Sequence, residues 1–184
     1  METTIQEATP EKAEKALKEF KPNAAFQSSL AIMPKSFQQV MEMAGVFAQS
    51  GIVPDALKGK PAACAVAILH GLELGLSPSQ ALSNVMVING RPSVWGDAML
   101  ALVMGSGEME SFEEDAPDIA AQQGFGRFKT KRKGWTNPTE RRFSIEEARK
   151  AGLLTKDTYR NYLGRMLMMR ARSWGLRDQY PDVL

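Results

Sequence analysis

Two groups of side chains in this 184-residue chain are equipped to do chemistry, and both are cationic. The first is Arg127, Lys129, Lys131, Arg132 and Lys133, followed by Trp135, Arg141 and Arg142. Alternate residues of a strand share a face. Lys129, Lys131 and Lys133 therefore line one side, about 6–7 Å apart at the usual strand rise. That interval matches the phosphates of an extended nucleic-acid strand, which such a row neutralises without reading sequence. Trp135, in the adjoining loop, is placed to stack on a base for on the order of 1–3 kcal/mol. The competing reading is a solvated edge strand that carries lysine to resist aggregation. Nucleic-acid contact is the favoured reading.

The second group is Lys156, Arg160, Arg165, Arg170, Arg172 and Arg177, on a helix expected from about Lys156 to Leu176. At about 100° per residue, Arg165 and Arg172 fall on one stripe, and phosphate is their favoured partner. A separate, wide apolar face holds Tyr159, Tyr162, Leu163, Met166, Met169 and Trp174. Arg170 and Arg177 project into the span of that face, where an isolated charge is too costly. A carboxylate from Asp97, Asp178 or Asp182 would serve them as well as a nucleic-acid phosphate.

Other chemistries lack their residues. One cysteine (Cys64) and one histidine (His70) exclude a disulfide framework and a His-rich metal site. Cys64 sits in an apolar run and reads as core, and the eleven methionines read as adaptable packing. Gly59-Lys60 lacks the preceding glycine of a phosphate-binding loop, and Gly124 and Gly126 do not complete a dinucleotide fingerprint. A metal-dependent nuclease using Asp97 and the acidic residues 108–118 is the remaining enzymatic reading. Pro117-Asp118 lacks a following Glu-x-Lys, however, and the acidic run reads as a solvated connection. The expectation is a protein that is not an enzyme, needs no ATP, and has no cofactor or metal site. Magnesium would serve at most as an aid to duplex formation.

The net charge of +2 conceals a division. Residues 1–120 carry 8 Lys and Arg against 15 Asp and Glu, while residues 121–184 carry 15 against 6. Such asymmetry points to a polyanion-binding surface on the basic part. The alternative is that the two halves neutralise each other across one fold or between subunits.

These groups need elements to hold them. Residues 1–27, rich in Glu, Lys and Ala with Pro10 and Pro22, read as a poorly ordered lead-in to one domain over 28–184. Acidic residues among the first thirty argue against a secretory leader, and no apolar run approaches the ~20 residues that span a bilayer. A cytoplasmic protein with no membrane partner is expected. Ser36 with Gln39 predicts a capping box and a helix that ends at Gly51. Pro61 to Leu74 and a short segment opened by Ser77-Pro78-Ser79-Gln80 predict two more helices.

Val85–Ile88 and Ser93–Trp95, around Asn89-Gly90, predict a hairpin. Ala98–Met104, apolar almost all round, predicts a buried helix with Asp97 near its cap. Residues 105–123 read as an acidic connection. Gly124–Lys133 and Glu140–Ser144 predict a second antiparallel pair, and Ser144 with Glu147 predicts another capped helix, ending at Gly152. Helices packed on small antiparallel hairpins, with no βαβ alternation, define an α+β class.

An ordered series of motifs adds to this. It runs through Ser50-Gly51-Ile52-Val53-Pro54, Lys58-Gly59-Lys60-Pro61, and Gly71-x-x-x-Gly75-Leu76-Ser77-Pro78 with Gln80-Ala81-Leu82. It continues with Val87-Ile88-Asn89-Gly90-Arg91-Pro92, Trp95-Gly96-Asp97, and Phe143-Ser144-x-Glu146-Glu147-Ala148-x-Lys150-Ala151-Gly152-Leu153. It closes with Arg165-Met166-Leu167-x-Met169-Arg170-Ala171-Arg172-Ser173 and Leu176-Arg177-Asp178-x-Tyr180-Pro181-Asp182. Over about residues 25–184 the chain resembles the phage RecT family of recombinases, the class of ATP-independent single-strand annealing proteins that includes the lambda Beta protein. The resemblance implies an α+β annealing core that forms rings or helical filaments. It also implies single-stranded DNA, and then the annealed duplex, lying along a basic groove across subunits. By position, that groove falls on Lys129–Arg142 and Arg165–Arg172. A passive single-strand-binding protein is the alternative.

Overall fold

A computed structural model of the protein describes residues 32–88 and 90–184. The expected lead-in over residues 1–27 lies outside the described residues. These hold eight helices and two small antiparallel sheets, a mixed α+β arrangement.

The first half is helical. Helix α1 (Phe37–Gln49) starts at Ser36, whose side-chain oxygen accepts the Gln39 amide. The reciprocal half of the expected capping box is absent, because the Gln39 side chain accepts from the Lys35 amide instead, at 2.6 Å. Val40, Ala44 and Ala48 form the buried stripe of α1. That stripe meets α2 (Pro61–Glu73), where Cys64, Ala65, Ala67, Ile68 and Gly71 are buried. Helix α3 (Pro78–Asn84) has the expected box in full, Ser77 and Gln80 each accepting the other's backbone N–H. A Cβ on Gly71 would collide with the Ala81 side chain, so glycine sets how closely α2 and α3 approach.

Strands β1 (Val85–Ile88) and β2 (Arg91–Val94) pair with Val85 opposite Val94 and form the expected hairpin. Helix α4 (Asp97–Ser106) follows, starting at Gly96. It is not buried all round: Met99 and Val103 are covered, whereas Met104 is 50% exposed. Its apolar sequence hid which face is covered, since no polar stripe marks the outside.

The expected acidic loop is the largest correction. Residues 105–123 contain strand β3 (Met109–Glu114) and helix α5 (Pro117–Gln123). Met109 and Phe112 pack against the core while Glu110 and Glu113 face solvent. A register shift between Met109 and Ser111 breaks the alternation that would have marked a strand. Strands β4 (Phe125–Arg132) and β5 (Thr139–Ser144) complete a sheet of order β3-β4-β5.

Helix α6 (Ile145–Lys150) opens with the full Ser144–Glu147 box. The long C-terminal helix is two pieces, α7 (Asp157–Asn161) and α8 (Leu163–Gln179), broken at Tyr162. The break precedes Gly164, where any Cβ would run into the Pro117 carbonyl. Helix α8 lies across the covered face of the sheet, against Gly126, Phe128 and Thr130 of β4. Tyr180, Phe128, Ile68, Leu57, Leu167 and Leu176 are fully buried in the shared core. Thr130 donates to the Ser111 carbonyl at 3.1 Å and accepts from the Tyr180 hydroxyl at 2.8 Å. No single helix among the described residues is long and apolar enough to cross a membrane.

Candidate nucleic-acid interface

Strand β4 alternates as its sequence requires, with Gly126, Phe128 and Thr130 inward and Arg127, Lys129 and Lys131 outward. The outward cations do not stand alone, because β3 lays carboxylates beside them. Lys131 Nζ lies 2.7 Å from Glu110, Lys129 Nζ lies 3.7 Å from Glu113, and Arg127 Nε lies 3.2 Å from the buried Asp115. The hydrogen bond that Arg127 donates to Asp115 raises the Arg127 pKa above its ordinary value. Arg132 is held at 2.6 Å by Asp182 and 3.1 Å by Glu108. The same contact with Arg132 pulls the Asp182 carboxyl down to about 2.

On β5, Arg141 pairs with Asp178 at 2.5 Å, and Arg142 with Glu140 at 2.7 Å. The Arg142 guanidinium also lies 5.2 Å from the Phe125 ring centroid. Lys133 and Trp135 sit in the β4–β5 turn, exposed and without an ion pair among the described residues. Glu108, Glu110, Glu113 and Asp115 of the acidic part thus pair with the basic hairpin, and the charge division partly closes within the fold.

The second group is arranged differently. Arg172 is 6% exposed; its Nε and Nη2 donate to the Glu114 carboxylate at 2.7 and 2.6 Å, and Nη1 donates to Asp97 at 2.5 Å. Burial works against its charge, but the bonds to Glu114 and Asp97 outweigh it and the pKa lies above the ordinary value. Arg172, for which the sequence favours phosphate, thus has three of its donors engaged by protein carboxylates. Arg165, on the same stripe, lies 3.8 Å from Asp97 and stays half-exposed. Arg160 pairs at 3.7 Å with Asp157.

Arg170 and Arg177 have no carboxylate among the described residues. The three proposed acidic partners are engaged elsewhere, Asp97 with Arg172, Asp178 with Arg141 and Asp182 with Arg132. The Arg170 guanidinium lies 5.8 Å from the Phe143 ring centroid. Arg177 donates through Nη2 to Ser93 Oγ at 2.8 Å and the Val94 carbonyl at 2.9 Å, and through Nη1 to Ser173 Oγ. Burial, and then the neighbouring charge of Arg170, lower the Arg177 pKa.

Lys156, Arg165, Arg170, Arg172 and Arg177 of the second group line a cleft of about 700 Å³ between β2, the start of α4, α7 and α8, and the hairpin cations lie outside it. Its cations are Arg91, Lys156, Arg165, Arg170, Arg172 and Arg177, and no carboxylate among the described residues lines it. Trp95, Met99, Tyr159, Met166 and Met169 supply apolar walls, with Trp95 44% exposed. Sequence reasoning placed Lys156, Arg165, Arg170 and Arg172 in the interface but missed Arg91 and Trp95. The available signal was strand alternation, since residues 91, 93 and 95 share a face and all three line the cleft.

The remaining candidates are structural. Cys64 is buried, its Sγ donates to the Leu57 carbonyl at 3.5 Å, and burial raises its pKa. No cluster of three or more potential metal ligands occurs among the described residues. Searches with the chain against protein-family models, curated proteins and solved structures find no match.

Proposed function

We propose that this chain is an ATP-independent single-strand annealing protein with a RecT-like core, and that its DNA strand runs through the cleft beside α8. The observation that carries this reading is a cleft with several apolar or aromatic walls and six cations, of which only Arg172 and Arg165 have a carboxylate within 4 Å among the described residues. Guanidinium and ammonium groups neutralise phosphates and release counterions, while the exposed Trp95 offers a flat face to a base. Two complementary strands repel through their phosphates, so neutralising one lowers the barrier to their meeting. Base pairing then drives the reaction, with stacking worth on the order of 1.4 kcal/mol per step. Catalysis of this kind is positioning. The protein on this reading is not an enzyme, uses no nucleotide or cofactor, and works in recombination in the cytoplasm of a phage-infected or prophage-bearing bacterium.

Assembly into a homo-oligomer would join clefts into a continuous groove. The exposed apolar side chains Phe37, Val46 and Ile52 on the α1 side support such contacts. The hairpin belongs to the proposed surface chiefly through Lys133, which has no ion pair among the described residues, and the exposed Trp135 beside it.

The test mixes the protein with complementary dye-labelled oligonucleotides at low salt without nucleotide. Accelerated pairing is the expected result. Slowed pairing would identify a passive single-strand binder, and an unchanged rate would overturn both readings.

A further inference from the structure

At the floor of the cleft, several hydrogen-bond donors have no acceptor among the described residues. Arg170 and Arg177 are seven residues apart on α8, and Ser173 lies between them on the same face. Ser173 Oγ and Ser93 Oγ each accept from Arg177, which leaves both hydroxyl protons free to donate. Neither hydroxyl donates to a protein acceptor among the described residues. The Arg170 guanidinium rests on Phe143 without a carboxylate, so its N–H groups are also uncommitted. Two half-buried guanidiniums near one another, with two free hydroxyls beside them, form a set of donors that lacks its anion.

We propose that Arg170, Ser173 and Arg177, with Ser93 opposite, form a phosphate subsite that takes a phosphomonoester, the 5′-phosphate of a nucleotide. A monoester carries about −1.5 to −2 charges at neutral pH. It therefore matches two guanidiniums better than the single charge of an internal diester. The cleft lies within the ~300–1,000 Å³ typical of small-molecule sites. Met166 and Met169 beside the subsite, and Trp95 across from it, accommodate the attached nucleoside. Two sources present this group, the 5′ end of a DNA strand and a free nucleotide.

The choice of a nucleotide as ligand rests on the annealing reading, and the experiment separates the two. Equilibrium binding is measured for a 5′-phosphorylated and a 5′-hydroxyl oligothymidylate of equal length. The phosphorylated strand is expected to bind about tenfold tighter, as one added charge-assisted contact provides. The substitution Arg170→Gln should bring that preference close to one. Arg177 ties β2 to α8, so its replacement risks the fold, and Ser173→Ala serves as the second variant, with a partial loss expected. Equal binding of both strands would overturn the subsite and leave the annealing reading standing. Failure of both strands to bind would overturn the annealing reading. In that case calorimetry with dAMP and with deoxyadenosine decides the subsite: binding of dAMP alone upholds it for free nucleotides, and binding of neither or of both equally overturns it.

Discussion

The guanidinium of Arg172 faces the carboxylate of Glu114 edge to edge, through two hydrogen bonds of 2.7 and 2.6 Å. This pair joins the middle of α8 to the end of β3, and its third contact, to Asp97, brings in the start of α4. Three elements, of which α4 and α8 border the cleft, are thereby fixed to one side chain. A buried ion pair is weak evidence of net stabilisation, but removing one partner strands the other charge.

Arg172→Gln is therefore expected to destabilise the fold by about 3 kcal/mol, the lower end for breaking such a pair because Asp97 remains largely exposed. Urea unfolding would check it. Arg165→Gln, on the same stripe but half-exposed, should change stability by less than about 0.5 kcal/mol. Equal losses for the two variants would contradict the division between a structural and a free arginine.

The acidic strand explains both what the sequence discloses and what it conceals. Ser77 and Ser144 announce helices because each side chain meets a backbone amide three residues on, a contact wholly local in sequence. The β4–β5 pair is legible for the same reason: Phe128 and Phe143 alternate with charges, and Gly134 to Pro138 can only turn. Strand β3 is illegible because its stability is non-local. Glu110 and Glu113 are tolerable in a strand only where Lys131 and Lys129 lie across from them. The same pairing moved the candidate site. Lys129 and Lys131 share a face of β4 whereas Lys133 falls in the turn beyond it, and what balances the two strand lysines comes from residues some twenty positions away. The Arg91 side of the cleft required knowing that β2 packs beside α8.

Asp182 gives a pH signature. Its carboxyl falls from an ordinary 3.8 to about 2 in the folded protein because Arg132 donates to it. A depressed carboxylate pKa stabilises the fold above the unfolded value, and this stabilisation is lost as pH falls through the folded one. Thermal midpoints should thus drop between about pH 4 and pH 2. Asp182→Asn should lower the midpoint at neutral pH and flatten that acid limb. An Asn variant with an unchanged acid limb would contradict the assignment.

Gly126 of β4 lies against the α8 backbone at Leu167 and Met168, where an added Cβ has no room. Gly126→Ala should cost roughly 1–3 kcal/mol, as overpacking does, and reduce soluble yield. The exposed Gly134 of the β4–β5 turn has open space around it but a φ of 77°. Gly134→Asn should therefore be nearly neutral, since asparagine tolerates the left-handed region. Chemical denaturation of both variants would check the contrast.

Trp95 and Trp135 are both exposed tryptophans, but they differ in setting. Trp95 stands among the cleft cations, whereas Trp135 sits in the β4–β5 turn. Stacking contributes on the order of 1–3 kcal/mol per base. Trp95→Ala should therefore weaken single-strand binding about tenfold or more, while Trp135→Ala should have a smaller effect. A protein with Trp95 as its sole tryptophan should show fluorescence quenching on titration with oligothymidylate. Quenching confined to a Trp135-only variant would move the strand from the cleft to the hairpin.

The salt dependence of binding separates the two cationic surfaces most directly. Each phosphate neutralised on a single strand contributes about 0.7 to the slope of log affinity against log salt. Arg91, Lys156 and Arg165 line the cleft, and among the described residues only Arg165 of the three approaches a carboxylate, at 3.8 Å. Replacing all three with glutamine should reduce the slope by about 2 and weaken binding alike for all sequences. Lys129 and Lys131 already have Glu113 and Glu110 as counterions. A phosphate that displaced those carboxylates would exchange one anion for another and release few free ions. Replacing Lys129 and Lys131 should accordingly change the slope by less than about 0.7 in total. If the hairpin variant loses the larger slope instead, β3 must give up its ion pairs when DNA binds, and the strand lies on the sheet.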